Sequence, residues 1–430
     1  MNELAQTNHQ LGGDGGSAAL STRGVEFTRF DRLLRQRVLD QLSGLGDGHI
    51  VLEDADGTVE LGKPAGSLPV RVWVADAAFY RAAAAGGSVG AGEAYMAGHW
   101  YCDDLVGLVR TLVRNRDLLD GMEKGWALLG GWLLRGWHGL RRNTQSGSRR
   151  NIAAHYDLGN EFFSLFLSAD LMYSSAYWKG EHDNLDSAST RKLDVVCRKL
   201  RLTPGDHLVE IGTGWGALAV HAATRYGCRV TTTTISIEQY TAACGRVASA
   251  GVADRVTVLL QDYRKLAGTY DKLVSIEMIE AVGAEYLETY FAQVGRLLKP
   301  DGLALIQAIT IEDHRYAQAL RSVDFIKRHV FPGSFIPSIE AMLTAKTRVS
   351  DLTLLDLEDF GLSYARTLEA WRKRFLAQFV QVRALGFDER FIRLWEFYLA
   401  YCEGGFRERS IGVAHLLFAK PRYLPVMSRS

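Results

Sequence analysis

Paired cysteines are missing from this chain. The five present, Cys102, Cys197, Cys228, Cys244 and Cys402, are odd in number, scattered and never in a C-x-x-C pair. That spacing excludes a disulfide framework and a zinc site, no other metal site is read, and the thiols fit free buried side chains in a reducing cytoplasm. Long apolar runs are missing too. The longest, Gly125 to Leu134, falls short of the ~20 residues a membrane span needs. The first two dozen residues hold no apolar h-region, only polar and Gly/Ser-rich sequence such as Gly12-Gly13-Asp14-Gly15-Gly16-Ser17, so no signal peptide is read and residues 1–22 are expected to be a disordered tail. Charge of one sign is also lacking: the net is +1 over 430 residues. With no basic stripe, helix-turn-helix or zinc finger, nothing points to nucleic acid. The expectation is a cytoplasmic protein, soluble or peripheral to a membrane.

What is present is a composition of 47% apolar and 23% charged residues, enough for two folded domains. Residues 23–145 read as a small N-terminal α/β domain. Short β-like pieces, Gly48–Glu53 and Leu68–Val74, flank a helical stretch near Asp76–Ala85. Residues 104–142 read as helical, because Leu105, Leu108, Val109, Leu112 and Val113 repeat at the spacing of one helix face. Within that segment Trp126, Trp132 and Trp137 lie among leucines, with Lys124, Arg135, Arg141 and Arg142 around them. Such a mixture suits a membrane interface, or else packing between domains or a homodimer contact. Asn143–Ser148 reads as a linker.

From residue 150 to 430 strand-like and helical runs alternate, the pattern of βαβ units on a parallel sheet. Candidate strands are His207–Ile211, Arg229–Thr234, Arg255–Leu259, Lys272–Ile276, Leu303–Ile309 and Ile411–Ala419, with helices at Ile237–Ala250 and Glu285–Leu298. Lys299-Pro-Asp-Gly302 reads as the turn closing the second helix. The sharpest local signal is Leu208-Val-Glu-Ile-Gly-Thr-Gly-Trp-Gly216. A strand carrying Glu210 runs into glycines at alternate positions, Gly212, Gly214 and Gly216, before a helix expected to start near Ala217. Glycines allow positive φ and a close backbone approach by a ligand, and helix N-terminal amides suit a carboxylate. The E-x-G-x-G-x-G spacing is that of class I methyltransferases and differs from the dinucleotide fingerprint.

With these residues in place, Asn151 to Lys420 resembles the cyclopropane-fatty-acid synthases and their mycolic-acid and tuberculostearic-acid relatives. The matching segments are Asn151–Asn160, Met172–Trp178, Glu210–Gly216, Thr234–Gln239, Gln261–Arg264, Ser275–Gly283 and Phe331–Pro337. The resemblance implies a Rossmann-like class I methyltransferase sheet with helices on both faces and a capping insertion, Glu312–Val349. It implies S-adenosylmethionine as methyl donor, held by Tyr173, Ser174, Gly212, Gly214, Thr234, Ile235, Gln239, Asp262 and Tyr263. It further implies a bicarbonate ion as bound base, with Glu280, Ile309 and Tyr364 matching the family's ligands. Two positions depart: Ser175 stands where the family has cysteine and Gln307 where it has histidine. Glutamine can hydrogen-bond an anion but carries no charge. Glu280 is expected to anchor the base region, and Tyr156, Tyr173, Tyr177, Phe325 and Phe335 are candidates to face a carbocation. Lys327 and Arg328 of the insertion are candidates for lipid phosphate. The implied activity is methyl transfer to the double bond of unsaturated phospholipid acyl chains at the inner face of the membrane. The implied product is a cyclopropane fatty acid, with a methylene or methyl branch as the alternative and small-molecule N-methylation as a more distant one.

Overall fold

The computed structural model describes residues 27–63, 68–117 and 158–424. The residues divide into two compact units. One comprises residues 1–134 with Gly386–Glu408, the other residues 135–385 with Arg409–Ser430. The stretch 386–408, expected to belong with the catalytic part of the chain, therefore groups with the N-terminal residues.

The first unit is built on a four-stranded sheet of order β2-β1-β3-β4, formed by β1 (Gly48–Asp54), β2 (Gly57–Lys63), β3 (Val70–Val74) and β4 (Trp100–Cys102). β1 and β2 form a hairpin closed by Ala55-Asp56, with Asp54 paired to Gly57. An Asp-Gly dipeptide between strand-like runs is a strong hairpin signal. Helix Arg29–Leu42 starts on a capping box between Thr28 and Asp31. Helix Leu105–Arg114 buries Val106, Leu108, Val109 and Thr111. The helix Glu389–Arg407 packs on it and on helix Ala78–Met96. A Cβ on Gly404 would lie 2.5 Å from Val109 Cγ1, so a glycine is required at that crossing. The rest of the expected 104–142 segment, with its tryptophans and basic residues, lies outside the described residues, as do residues 1–22 and the linker.

The second unit holds the expected Rossmann-like sheet. Its seven strands are β5 (His207–Ile211), β6 (Arg229–Thr234), β7 (Val256–Leu260), β8 (Tyr270–Ile276), β9 (Leu298–Ile311), β10 (Thr353–Asp359) and β11 (Ile411–Ala419), in the order β10-β11-β9-β8-β5-β6-β7. β5 to β9 are parallel, and β11 runs antiparallel to β9 and β10. The central strands are continuous buried runs, as strands covered on both faces must be. Lys299–Gly302 does not end before the strand: β9 already pairs at Leu298, and the turn residues form an irregularity between the pairs Tyr270–Leu298 and Lys272–Leu303. Between β9 and β10 the insertion carries helices Asp313–Arg321, Phe325–His329 and Ile339–Val349. From β5 the chain first builds outward through β6 and β7, then returns to place β8 on the other side of β5. That reversal opens a crevice beyond the carboxyl ends of β5 and β8, where open α/β sheets bind their ligands.

Candidate active site

The glycine loop leaves β5 directly at this crevice. Gly212, Gly214 and Gly216 have φ of 99°, 52° and 83°, all in the left-handed range. Gly212 and Thr213 donate their N–H groups to the carbonyl of Thr233, which ties the loop to β6. The glycines serve different purposes. A Cβ on Gly216 would come within 3.1 Å of Ala243 Cβ, so Gly216 permits helix Ile237–Ser249 to pack closely. A Cβ on Gly214 would meet nothing within 4 Å, so this glycine faces open space. Trp215 is turned away and buried, its indole N–H on Asn160 Oδ1 at 2.6 Å and its ring against Phe163.

Around the loop stand the residues expected to hold the methyl donor. Glu210 is buried and accepts from Thr232 Oγ1 at 2.6 Å; burial pushes its carboxyl up to about 8. At the end of β6, Thr234 Oγ1 donates to Gln239 Oε1 at 2.8 Å, with Ile235 between them and Ser236 capping the following helix. Asp262 is held by Arg264 at 2.6 Å, and the hydroxyl of Tyr263 is buried with no hydrogen-bond partner. The Tyr173 ring packs on Phe163, Trp371 and Phe331. The hydroxyl of Ser174 accepts from the ammonium of Lys192 at 2.7 Å. Lys192 is fully buried, and burial lowers its amine to about 8 against the opposing pull of Glu277, Asp170 and Glu210. Open space at Gly214 and a buried unpartnered hydroxyl on Tyr263, with the polar side chains of Ser174 and Gln239, fit a polar, nucleoside-bearing ligand.

A second cluster forms where β8 ends. Glu277 follows the strand with φ 45°, a left-handed conformation for a non-glycine residue. Three donors converge on its carboxylate. Ser175 N–H reaches Oε1 at 2.9 Å, Gln307 Nε2 reaches Oε1 at 2.7 Å, and the Tyr364 hydroxyl reaches Oε2 at 2.8 Å. Gln307 lies opposite His415 in the β9–β11 register, and its Oε1 accepts from His415 Nε2 at 3.0 Å. The amide is thereby oriented with its N–H group toward Glu277. His415 is buried and held well below its usual range, so it is a neutral donor through Nε2. Glu280, one helical turn on, accepts from Ile309 N–H at 2.6 Å, and its other oxygen is buried without a partner. Burial and the neighbouring Glu277 push its carboxyl up to about 8. The capping insertion closes on the same point, because Phe335 N–H donates to the Glu280 carbonyl at 3.1 Å.

The five residues expected around a bound anion, Ser175, Glu280, Gln307, Ile309 and Tyr364, are thus brought together. Bicarbonate itself does not fit them: the Ser175, Gln307 and Tyr364 donors are engaged by Glu277 and the Ile309 donor by Glu280. Glu277, Lys192 and His415 were not picked out from the sequence. The signal for Glu277 was an acid at the end of a strand inside the quoted Ser275–Gly283 segment. One other expectation changes. Lys327 is buried with its ammonium on the carbonyls of Ala319 and Ser322, at 2.5 and 3.0 Å, and so does not present a cation to phosphate. Tyr177 donates to Glu358 at 2.5 Å, and Phe325 and Phe335 are buried. Tyr156 lies outside the described residues.

The model of the family described as mycolic acid cyclopropane synthetase matches residues 143–416. A relative named tuberculostearic acid methyltransferase UfaA1, from Mycobacterium tuberculosis, is 38% identical over 76% of this chain and 78% of its own length. A cyclopropane-fatty-acyl-phospholipid synthase from Escherichia coli is 37% identical over 83% of this chain and 89% of its own. Among solved structures, mycolic acid cyclopropane synthase CmaA1, complexed with SAH and CTAB, superposes with a TM-score of 0.59 at 30% identity. It covers 63% of this chain and 98% of its own.

Proposed function

The chain belongs to the mycolic acid cyclopropane synthetase family and is an S-adenosylmethionine-dependent methyltransferase, and from that membership we propose that it methylates the double bond of unsaturated phospholipid acyl chains to give cyclopropane fatty acids. One observation supports this reading above others. The glycine loop and the Glu277–Glu280 cluster follow the carboxyl ends of the adjacent strands β5 and β8 at the strand-order reversal, where a methyl donor and a proton acceptor would meet. Tyr173, Ser174, Gly212, Gly214, Thr234, Ile235, Gln239, Asp262 and Tyr263 would hold the donor. When bound it supplies an electrophilic methyl group on a sulfonium. An isolated alkene is a weak nucleophile, so the enzyme's task is alignment in a water-poor site. The cation left by methyl transfer then needs a carboxylate to discharge it, and the cluster provides one. The likeness to a tuberculostearic acid methyltransferase supports a second product, a methylene branch or a methyl-bearing alkene, from the same first step.

The substrate lies in a bilayer, and no helix among the described residues is long and apolar enough to cross one. We propose that the enzyme works peripherally at the inner membrane face, with Lys124 to Arg142 as the docking segment. The test of function is incubation of pure protein with methyl-labelled S-adenosylmethionine and vesicles of unsaturated phospholipid, followed by mass spectrometry of the fatty acids. A gain of one CH2 with loss of the double bond is the expected result. Label found in added amines and not in lipid would sink the reading.

A further inference from the structure

We infer that Glu277 is the general base of the reaction, a carboxylate built into the chain at the place where a bound anion would otherwise stand. The inference rests on the methyl-transfer reading above. Its first support is the donor set. A backbone N–H, an amide N–H and a phenolic O–H surround the carboxylate within 2.9 Å, a cage suited to an oxyanion. With Glu277 in the cage, a further anion would add a second negative charge to a buried site, which like-charge repulsion opposes.

The second support is the backbone. At φ 45° Glu277 occupies a left-handed region that is unfavourable for a residue with a Cβ. Strain of this kind persists where the surroundings over-determine it, commonly at functional sites. Here the N–H of Glu277 is fixed on the Gln307 carbonyl at 2.8 Å while its side chain is fixed by three donors. The third support is the contrast between the two acids. Burial pushes the Glu277 carboxyl up as well, opposed by three hydrogen bonds to its charged form and by the field of Lys192. Burial and the negative Glu277 push the Glu280 carboxyl up, the Ile309 N–H opposes them, and one of its oxygens is left without a donor. Two buried carboxyls this close do not both ionise, and the three donors on Glu277 against one on Glu280 make Glu277 the acceptor while Glu280 holds a proton.

The chemistry balances without a further reactant. The sulfur–methyl bond breaks with its electrons left on sulfur, while the alkene π pair forms the new carbon–carbon bond and leaves a cation on the acyl chain. Glu277 then takes a proton. If it comes from the added methyl, the released C–H pair closes the three-membered ring. If it comes from an adjacent carbon, that pair forms a new double bond. The proton leaves Glu277 for solvent when product departs.

The experiment compares wild type, Glu277→Gly and Glu277→Gln with and without bicarbonate in carbon-dioxide-free buffer. Glycine accepts φ 45° without strain and opens the cage; glutamine fills the cage but cannot accept the proton. Wild-type turnover should ignore bicarbonate. Both variants should bind SAH as wild type does, and turn over roughly 100-fold or more slowly, the usual contribution of a general base. Added bicarbonate should restore Glu277→Gly and not Glu277→Gln. Loss of turnover with SAH affinity kept supports the inference, and selective rescue supports it further. Wild-type activity that falls when bicarbonate is removed, or a variant that keeps wild-type turnover without it, overturns it. A wild type that labels no lipid at all defeats the functional reading beneath it.

Discussion

At the scale of residues, the site is held by second partners the sequence did not advertise. Lys192 lies mid-helix in Leu185–Lys199 and reads as a surface cation, yet it is fully buried beneath Ser174. His415 lies 108 residues from Gln307 and meets it only through strand register. Neither relation has a local pattern to betray it, whereas Glu210, the glycines and Gln239 were legible because their roles are set by neighbours in sequence. The His415 contact carries a prediction. Without a donor on Oε1, Gln307 can rotate its amide and present oxygen to Glu277. His415→Phe should therefore slow turnover about 10- to 100-fold, the worth of one buried polar group left unmatched at 1–3 kcal/mol, while SAH affinity stays as in wild type; a titration and a rate measurement together decide it. Glu280 gives a pH prediction. Its folded-state pKa is raised to about 8 from 4.5, so between those values the folded state keeps a proton that the unfolded chain releases. Stability from this group is present below pH 4.5 and is lost as pH rises toward 8, at up to about 1.4 kcal/mol per pH unit. Glu280→Gln removes the titration and keeps the shape. The melting temperature of the variant relative to wild type should rise steadily from pH 5 to pH 8, and a constant difference would show that Glu280 is not protonated in the fold.

At the scale of elements, the parallel strands β5 to β9 and the last strand β11 were readable from their apolar runs or, in β6, from a β-branched run of threonines. The strands that escaped are short or at an edge. β10 is largely exposed, interrupted by a bulge between Leu354 and Asp356, and carries Asp356, Glu358 and Asp359. Acids and irregularity of this kind protect an edge and also erase its pattern. β4 has only three residues. The glycine loop shows how finely an element can divide its labour. Gly214→Ala would project a methyl group into the open crevice and strain φ 52°, so SAH affinity should fall at least about 10-fold. Gly216→Val would drive side-chain atoms into helix Ile237–Ser249, where the nearest atom is already 3.1 Å from a Cβ. Overpacking of that order costs about 1–3 kcal/mol, so its first effect should be a lower melting temperature. If the two variants reverse, with Gly216→Val folded normally and Gly214→Ala melting early, the division of roles is wrong.

At the scale of the whole molecule, the discontinuous unit decides what can be cut. The helix Glu389–Arg407 follows the catalytic strands in sequence but packs with residues of the N-terminal unit. Phe397 meets Tyr95 at 5.5 Å between ring centroids, the Tyr95 hydroxyl donates to Glu396 at 2.9 Å, and Arg110 pairs with Glu408 at 2.5 Å. Ile392, Trp395, Phe397, Tyr398, Leu399 and Phe406 are all buried. No sequence pattern could assign this helix, because amphipathic spacing says that one face is covered without saying by what. Removing residues 1–117 would uncover side chains worth roughly 1.5–3 kcal/mol each, a sum comparable to the roughly 5–15 kcal/mol that holds a typical domain together. That truncation should aggregate or melt far below the full chain, even though it leaves every named site residue in place. Replacing Gly386–Glu408 in the truncated chain with a Gly/Ser linker of about 10 residues, long enough to span the ~30 Å of the lost helix at ~3.3 Å per residue, should restore solubility and SAH binding. Solubility of the first truncation equal to that of the second, by sedimentation and thermal melting, would show that the helix does not depend on the N-terminal residues. Recovery only with the linker would show that the helix belongs with the N-terminal residues, and that the catalytic fold is complete once that helix is taken away.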